Sequence, residues 1–457
     1  MPLARTLVAR VADRLSDPRA RLADMGKRNR ERRTAKQKQR RRSATERERR
    51  RPDPEQDRTQ LLERLIVAWR TAAGTPSPWR ASEVLEKFRG YERELDVTAG
   101  LVVHEAIRAA WERGWSPTDL HEVARRRADG ATVRYLDEAI VLQSRQYAAA
   151  ALHPRWRAQL ADISATVGPA GTEPQMWRWA VAQSVDERTV VTVVLSVLHL
   201  LDRLPAIAAL LPLPGAHRHA PAVVAGVDEV DEKMLARVRA LLAKAEATEY
   251  PDEAEALSAK AQALMARYSL QEAVVDHDRG RKSIATSRRI WIENPYVAAK
   301  VGVVQAVAQA NRCRTVWIKN LGCVVVVGAE TDLDLVGLLS TSLLVQASRA
   351  MLLAGRRHAV RGQTRTKSFR LSFLVAYASR IGERLGDASS SVTEEFRRDD
   401  RLLPVLAARN RAADEAFARL FPSTVACPLV SYDAVGAGAG RAAADTAVLD
   451  IRDAIAG

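Results

Sequence analysis

Cysteine is scarce in this chain: three residues in 457, Cys313, Cys323 and Cys427, none in a CxxC spacing. Thiols so few and so widely spread exclude a disulfide scaffold and fit a reducing, cytoplasmic setting. A long apolar run is also lacking. The longest, Val190 to Leu201, is interrupted by Thr192, Ser196 and His199 and falls short of the roughly 20 residues that a membrane span needs. The first fifteen residues hold no apolar core of the signal-peptide kind. The expectation is a soluble cytoplasmic protein with no membrane partner.

Acidic residues are few in one stretch and missing from another. Between Lys27 and Arg51 there are 14 Lys and Arg, three acids and no aliphatic side chain larger than alanine. Such a segment cannot offset its ordering entropy by burial, so it is expected to be a disordered arm, ending near residue 58. Of the net charge of +16, residues 1 to 60 supply +11, from 20 Lys and Arg against 9 Asp and Glu. A block this basic, with Arg40, Arg41 and Arg42 at its centre, attracts polyphosphate almost regardless of fold; the plainer reading is a solvated tail. The second stretch, Leu335 to Gly382, runs 48 residues without Asp or Glu.

Catalytic signatures are absent or incomplete. His104-Glu105-Ala-Ile-Arg108 and His121-Glu122-Val-Ala-Arg125 fall short of HExxH, in which two imidazoles one helical turn apart bind zinc beside a water-activating glutamate. Arginine replaces the second histidine in both, and guanidinium cannot bind a cation, so both read as polar helix faces. His217 and His219 form an HxH pair without further ligands, in a linker. Asp332 and Asp334, two apart at a helix start, point to different faces and read as capping and dipole-stabilising residues. Gly436-Ala-Gly438-Ala-Gly440-Arg441 lacks the Lys and Ser/Thr of a P-loop and reads as a flexible hinge before a short helix, with phosphate cradling the sharper alternative. No pattern calls for a metal or cofactor, and no catalytic residue is nominated.

What is present is mainly helical. Residues 59 to 212 carry apolar positions at helical spacing, such as Leu61, Leu62, Leu65, Ile66 and Trp69. Ser116, Pro117 and Asp119 mark a helix start. Seven of the nine tryptophans lie in this half, Trp79 and Trp177 among them, and are expected to be core. Residues 213 to 227, rich in Pro and Gly, form a linker. Beyond residue 286 strands and helices mix: a strand over 289–293, a helix over 295–311, a hairpin of 314–319 and 323–327, then helices over 332–353, 369–398 and 405–420. This is a C-terminal α+β domain with a small sheet, in which Cys313 and Cys323 do not face each other.

Between these parts, residues 228 to 275 form a helical hairpin. Its first helix repeats Met234, Val238, Leu241 and Ala245, its second Ala254, Leu257, Ala261, Leu264 and Tyr268. The pattern Leu241, Leu242, Lys244, Ala245, then a turn at Glu249, Tyr250 and Pro251, then Glu253, Ala254, Leu257, Lys260, Ala261, Leu264 and Met265 resembles a bacterial and phage family, domain of unknown function 2786. The resemblance implies a two-helix module and no reaction. So small a core needs a neighbour to complete it.

Basic residues outside the arm supply the candidate site. Lys233, Arg237 and Lys244 project within about 40° of one another beside the hairpin's apolar stripe, as a phosphate rail or as an ordinary solvated flank. Arg356, Arg357, Arg361, Arg365, Lys367 and Arg370 are expected around a turn between helices, with Ser368, Phe369, Ser372 and Phe373 beside them. The charges suit phosphates and the rings would suit base stacking, unless they are core. The leading expectation is a non-enzymatic nucleic-acid-binding protein. The alternatives are an enzyme gripping a phosphorylated substrate through Arg356, Arg357 and Arg441, and a scaffold that binds protein through the hairpin and the tryptophan-rich helices.

Overall fold

The computed structural model describes residues 54–168, 171, 174–216, 227–247, 251–279, 283–358, 367–396, 402–425 and 434–445. Among them are fifteen α-helices and one three-stranded sheet, so the protein is mainly α. The arm residues Arg40, Arg41 and Arg42, the His217/His219 pair, and Arg361 and Arg365 lie outside the described residues. The chain divides into two compact units, residues 1–219 and 220–457.

The first unit is helical: α1 (Pro54–Ala73), α2 (Pro78–Lys87), α3 (Glu92–Glu112), α4 (Pro117–Arg127), α5 (Gly130–Ser144), α6 (Pro154–Val167), α7 (Met176–Gln183) and α8 (Glu187–Asp202). The apolar run that is too short for a membrane is the axis of this unit. In α8 Val190, Val191, Val194, Leu195, Val197, Leu198 and Leu201 are buried, and α8 touches α1, α2, α3, α5 and α7. A helix apolar on all sides belongs at the centre of a bundle.

Polar groups finish the helix ends. Pro117 opens α4, and Asp119 accepts from the Ser116 backbone and hydroxyl at 3.1 and 2.7 Å, closing the predicted helix start. Asp96 of α3 accepts from the backbone N–H of Met176 at 2.8 Å, capping α7 from a distance; burial nonetheless pushes its carboxyl up. Trp69, Trp111, Trp115, Trp156 and Trp179 are core. Two tryptophans depart from expectation: Trp177 is half-buried, and Trp79 is 65 % exposed with the Arg80 guanidinium 4.7 Å from its ring centre.

The second unit holds the hairpin α9 (Val227–Ala247) and α10 (Pro251–Asp278), then β1 (Thr286–Trp291), α11 (Val297–Ala310), β2 (Arg314–Ile318), β3 (Cys323–Gly328), α12 (Glu330–His358), α13 (Lys367–Glu395), α14 (Leu402–Leu420) and α15 (Ala434–Asp445). The sheet is antiparallel in the order β1-β3-β2, with Arg289 opposite Val325 and Val316 opposite Val325 on the other side. Every residue of β3 is buried, so both faces are covered, here by α11, α12 and α14. Cys313 and Cys323 are buried free thiols.

The hairpin is completed as its small core requires. Val238 and Leu242 of α9 and Ala261 and Met265 of α10 join one cluster with Val304, Val324, Leu339, Phe373 and Tyr377. The buried face of α10 is broader than one stripe, running through Ala261, Gln262, Met265, Ala266, Ser269, Leu270 and Ala273, while Tyr268 is half-buried. A helix clasped by α9, α12, α13 and α14 has little face left for water.

The glycine run is a packing device rather than a hinge. Gly436, Gly438 and Gly440 lie inside α15, which lies along α13. A Cβ added at Gly436 would sit 2.4 Å from the Phe369 carbonyl oxygen and one at Gly440 2.1 Å from that of Phe373, whereas Gly438 has nothing within 4 Å. Glycines four residues apart let two backbones touch. Gly440→Ala is therefore expected to destabilise the protein by about 1–3 kcal/mol despite alanine's better helix propensity. Gly438→Ala is expected to stabilise it by up to about 1 kcal/mol. Denaturant unfolding of both variants reads the difference.

Candidate functional site

Lys233, Arg237 and Lys244 are all exposed on α9, beside the buried Val238 and Leu242, where helical geometry puts them. The end of this helix lies against α12: Arg349, which is exposed, donates to the Glu246 carbonyl at 3.3 Å. The last turn of the hairpin's first helix thereby meets the acid-free segment at Arg349. Arg349 also tops up the carbonyl-rich C-terminus of α9, where a cation is favoured.

The turn expected around Arg356 and Arg357 begins later. Both lie in the last turns of α12, which continues to His358. Lys367, exposed, opens α13, and Arg370, half-buried, follows one turn on. Phe369 and Phe373 are 1 % and 0 % exposed, and their backbone carries α15, so they stack on no base. Ser372 is also buried.

The near-miss zinc motifs differ in setting: His104 and Glu105 are buried on α3, while His121 and Glu122 are half-buried on α4. Glu105 is buried and pairs with Arg108 three residues on, with Nε at 3.1 Å, and Glu122 pairs with Arg125 at 3.0 Å. In each, the arginine that replaces histidine neutralises the motif's own glutamate. His121 Nδ1 lies 3.0 Å from both carboxylate oxygens of buried Asp137. Among the described residues no group of three or more His, Cys, Asp or Glu is placed to hold a metal ion.

One polar cluster has no counterpart in the sequence reading. Ser269 of α10 donates to Asp332 of α12 at 2.5 Å. Arg409 of α14, 9 % exposed at its side chain, donates to the Ser269 carbonyl at 3.0 Å and to Glu272 at 3.2 Å. It also lies 3.8 Å from Asp276 and 4.0 Å from Asp332. Thr331 donates to the other Glu272 oxygen at 2.7 Å. Burial pushes the Asp332 carboxyl up, with Arg409 and Ser269 opposing the shift. Arg312, held at a φ of 60°, has its guanidinium pushed down by burial. Burial also pushes the nearby Cys313 thiol well up, so it is no nucleophile at neutral pH.

A cavity of roughly 220 Å³ opens beside the cluster, lined by Glu272, Asp276, His277, Glu330, Thr331 and Arg409 among others. A larger open groove of about 550 Å³ runs between α11 and α13, lined mostly by Gly and Ala with Gln305, Gln309 and Ser379. Arg441, exposed on α15, is not among the described residues that line either one. Asp332 and Asp334 point apart as their spacing demands: Asp334 pairs with Arg288 of β1, but Asp332 enters the buried cluster rather than merely completing a helix end. The missed signal was Arg409, which falls on the buried row Leu402, Val405, Leu406, Ala413 and Ala416 of α14. An arginine on a core stripe implies a buried carboxylate partner.

Residues 233–272 match the model of a family described as a protein of unknown function, DUF2786. No curated protein and no solved structure matches the chain.

Two outcomes follow. Arg409→Ala leaves Asp332 and Glu272 without their buried cation and is expected to cost about 3–5 kcal/mol, measured by denaturant unfolding, with part of the loss recovered by adding Asp332→Asn. The Asp137 hydrogen bond, against the opposing effect of burial, raises the His121 pKa. A raised folded pKa means stability fully present below the unfolded value of about 6.5 and lost as pH rises through the folded one. A proton NMR titration is expected to place His121 above free histidine, and Asp137→Asn to lower its midpoint.

Proposed function

We propose that this protein binds nucleic acid through its basic surfaces and catalyses no reaction on it. The observations that support the reading are the exposed Lys233, Arg237 and Lys244 on α9 and the exposed Arg349 on α12, which meets the last turn of α9 at the Glu246 carbonyl. Clustered Lys and Arg are the electrostatic footprint of a polyphosphate partner. The arm up to Arg51 adds sequence-independent attraction. Buried Phe369 and Phe373 leave phosphate contact, not base stacking, as the mode at this surface.

Against the enzyme reading, Arg441 is exposed on α15 and is not among the described residues that line either cavity. Against a hairpin scaffold, Val275, 43 % exposed, is the one large apolar side chain that the described part of the hairpin leaves prominently in solvent. A protein-binding patch needs several hundred square ångströms of continuous apolar surface.

The test is binding to double- and single-stranded DNA and to RNA across a salt series. The full chain is compared with a chain starting at Thr59 and with the triple variant Lys233→Glu, Arg237→Glu, Lys244→Glu. Affinity is expected to fall with salt, with a slope in log K smaller by about 0.9 for each phosphate contact removed. Affinity that is insensitive to salt and unchanged in both variants would falsify the reading.

A further inference from the structure

His121 of α4 and Asp137 of α5 form an oriented pair in the first unit. Only Ala128 and Asp129 join the two helices, so they run antiparallel and position 121 meets position 137. His121 Nδ1 lies 3.0 Å from each carboxylate oxygen of Asp137. The aspartate side chain is 3 % exposed and the histidine 26 %, so a buried acceptor fixes the ring from the inside. The proton of the neutral ring therefore sits on Nδ1, and the lone pair is on Nε2. That nitrogen has no partner among the described residues and, unlike the Nε2 of buried His104, is not closed off from solvent.

An imidazole held in this way by a carboxylate can serve as a metal ligand, a general base or a nucleophile. A metal needs further donors, and among the described residues no three of His, Cys, Asp or Glu are placed to hold one. A general base needs a second reactant held against it, and neither cavity described above is lined by residues of the first unit. The role left is that of a nucleophile towards a reagent arriving from solution. The nearby charge selects an anionic one. With 121 level with 137, position 125 falls level with 133, so Arg125 of α4 and Arg134 of α5, both exposed, stand about one helical turn from the ring.

We propose that His121 is a phosphoryl-acceptor histidine, whose Nε2 takes phosphoryl from a small energy-rich donor of the acyl phosphate or phosphoramidate class. The Nε2 lone pair attacks phosphorus and an N–P bond forms while the bond to the leaving group breaks. Its electron pair departs with a carboxylate or, from a protonated phosphoramidate nitrogen, with ammonia. The Nδ1 proton stays in its hydrogen bond, so the positive charge that the ring gains is met by Asp137, which touches no donor and acts as a positioning residue. Arg125 and Arg134 are placed to meet the phosphoryl oxygens. The inference rests on the first unit alone and stands without the nucleic-acid reading.

The full chain is incubated with acetyl phosphate and, separately, with phosphoramidate. The label is located by peptide mass spectrometry at alkaline pH and by phosphorus NMR. His121 is expected to be labelled at Nε2 faster than N-acetylhistidine and faster than the other seven of the chain's eight histidines, and to lose the label in acid. His121→Gln is expected to abolish it with unchanged circular dichroism. Asp137→Asn is expected to slow labelling by about 10-fold and to lower the midpoint of its pH profile. Only the neutral ring attacks, so the rate rises with pH through the raised His121 pKa. The Asp137 hydrogen bond raises that pKa against the opposing effect of burial, with Glu122 adding to the rise and Arg125 opposing it; α6, also packed on α4, brings the neutral Gln159 to the start of that helix. Labelling by neither donor, at the rate of N-acetylhistidine, at Nδ1, or undiminished in His121→Gln overturns the proposal. A folded Asp137→Asn that labels at full rate with the same pH profile overturns the positioning role. Nitrogen NMR of the unsubstituted chain is an independent check: a neutral ring protonated on Nε2 also overturns it.

Discussion

The second unit turns on one buried cation. Arg409 of α14 reaches Ser269, Glu272 and Asp276 on α10 and comes to 4.0 Å from Asp332 on α12, so one guanidinium with five donors ties three helices that are distant in the chain. Such a group has no neutral option: its alternatives are complete pairing or expulsion of the helix that carries it. The position of α14 on the sheet and the seat of the hairpin's second helix therefore stand or fall together.

Around that point the apolar packing follows. With α10 seated, Ala261 and Met265 meet the sheet core, while Ala266 and Leu270 close a smaller cluster with Val392, Leu402 and Leu406. Arg267, one turn before the cluster, reaches Glu395 at 2.8 Å on the rim, where a pair adds little. The hairpin is thus a wall of the C-terminal unit rather than a free module. Its exposed flank retains Lys233, Arg237 and Lys244 because its other faces are occupied.

Much of this was legible in the sequence where local rules dominate. Helical periodicity marked the helices, Ser116 and Asp119 the start of one of them, and the run of Cys323 to Val327 one strand of a hairpin. The hairpin pattern marked its own two helices. What misled was context. A Gly-Ala-Gly-Ala-Gly string is locally a breaker, yet α13 passing at contact distance turned it into a helix, since the close approach repays the backbone entropy that glycine loses. Phe369 and Phe373, beside a basic segment, are as suitable for stacking as for packing until α15 covers them. Trp79, at the edge of α2, kept its ring in solvent although its neighbours by type are core.

The sequence by itself determined the mainly helical character, the hairpin, the small sheet and the uneven spread of charge, because each depends on residues within a few turns of one another. Only the tertiary structure decided that Asp332 and Arg409 share a buried site, that the end of α9 meets α12 through Glu246 and Arg349, and that α15 covers the backbone at Phe369 and Phe373. Those relations join residues 63 to 140 positions apart or depend on which neighbours cover a helix. Local spacing carries no information about them, since packing chooses partners by shape and charge and not by separation along the chain.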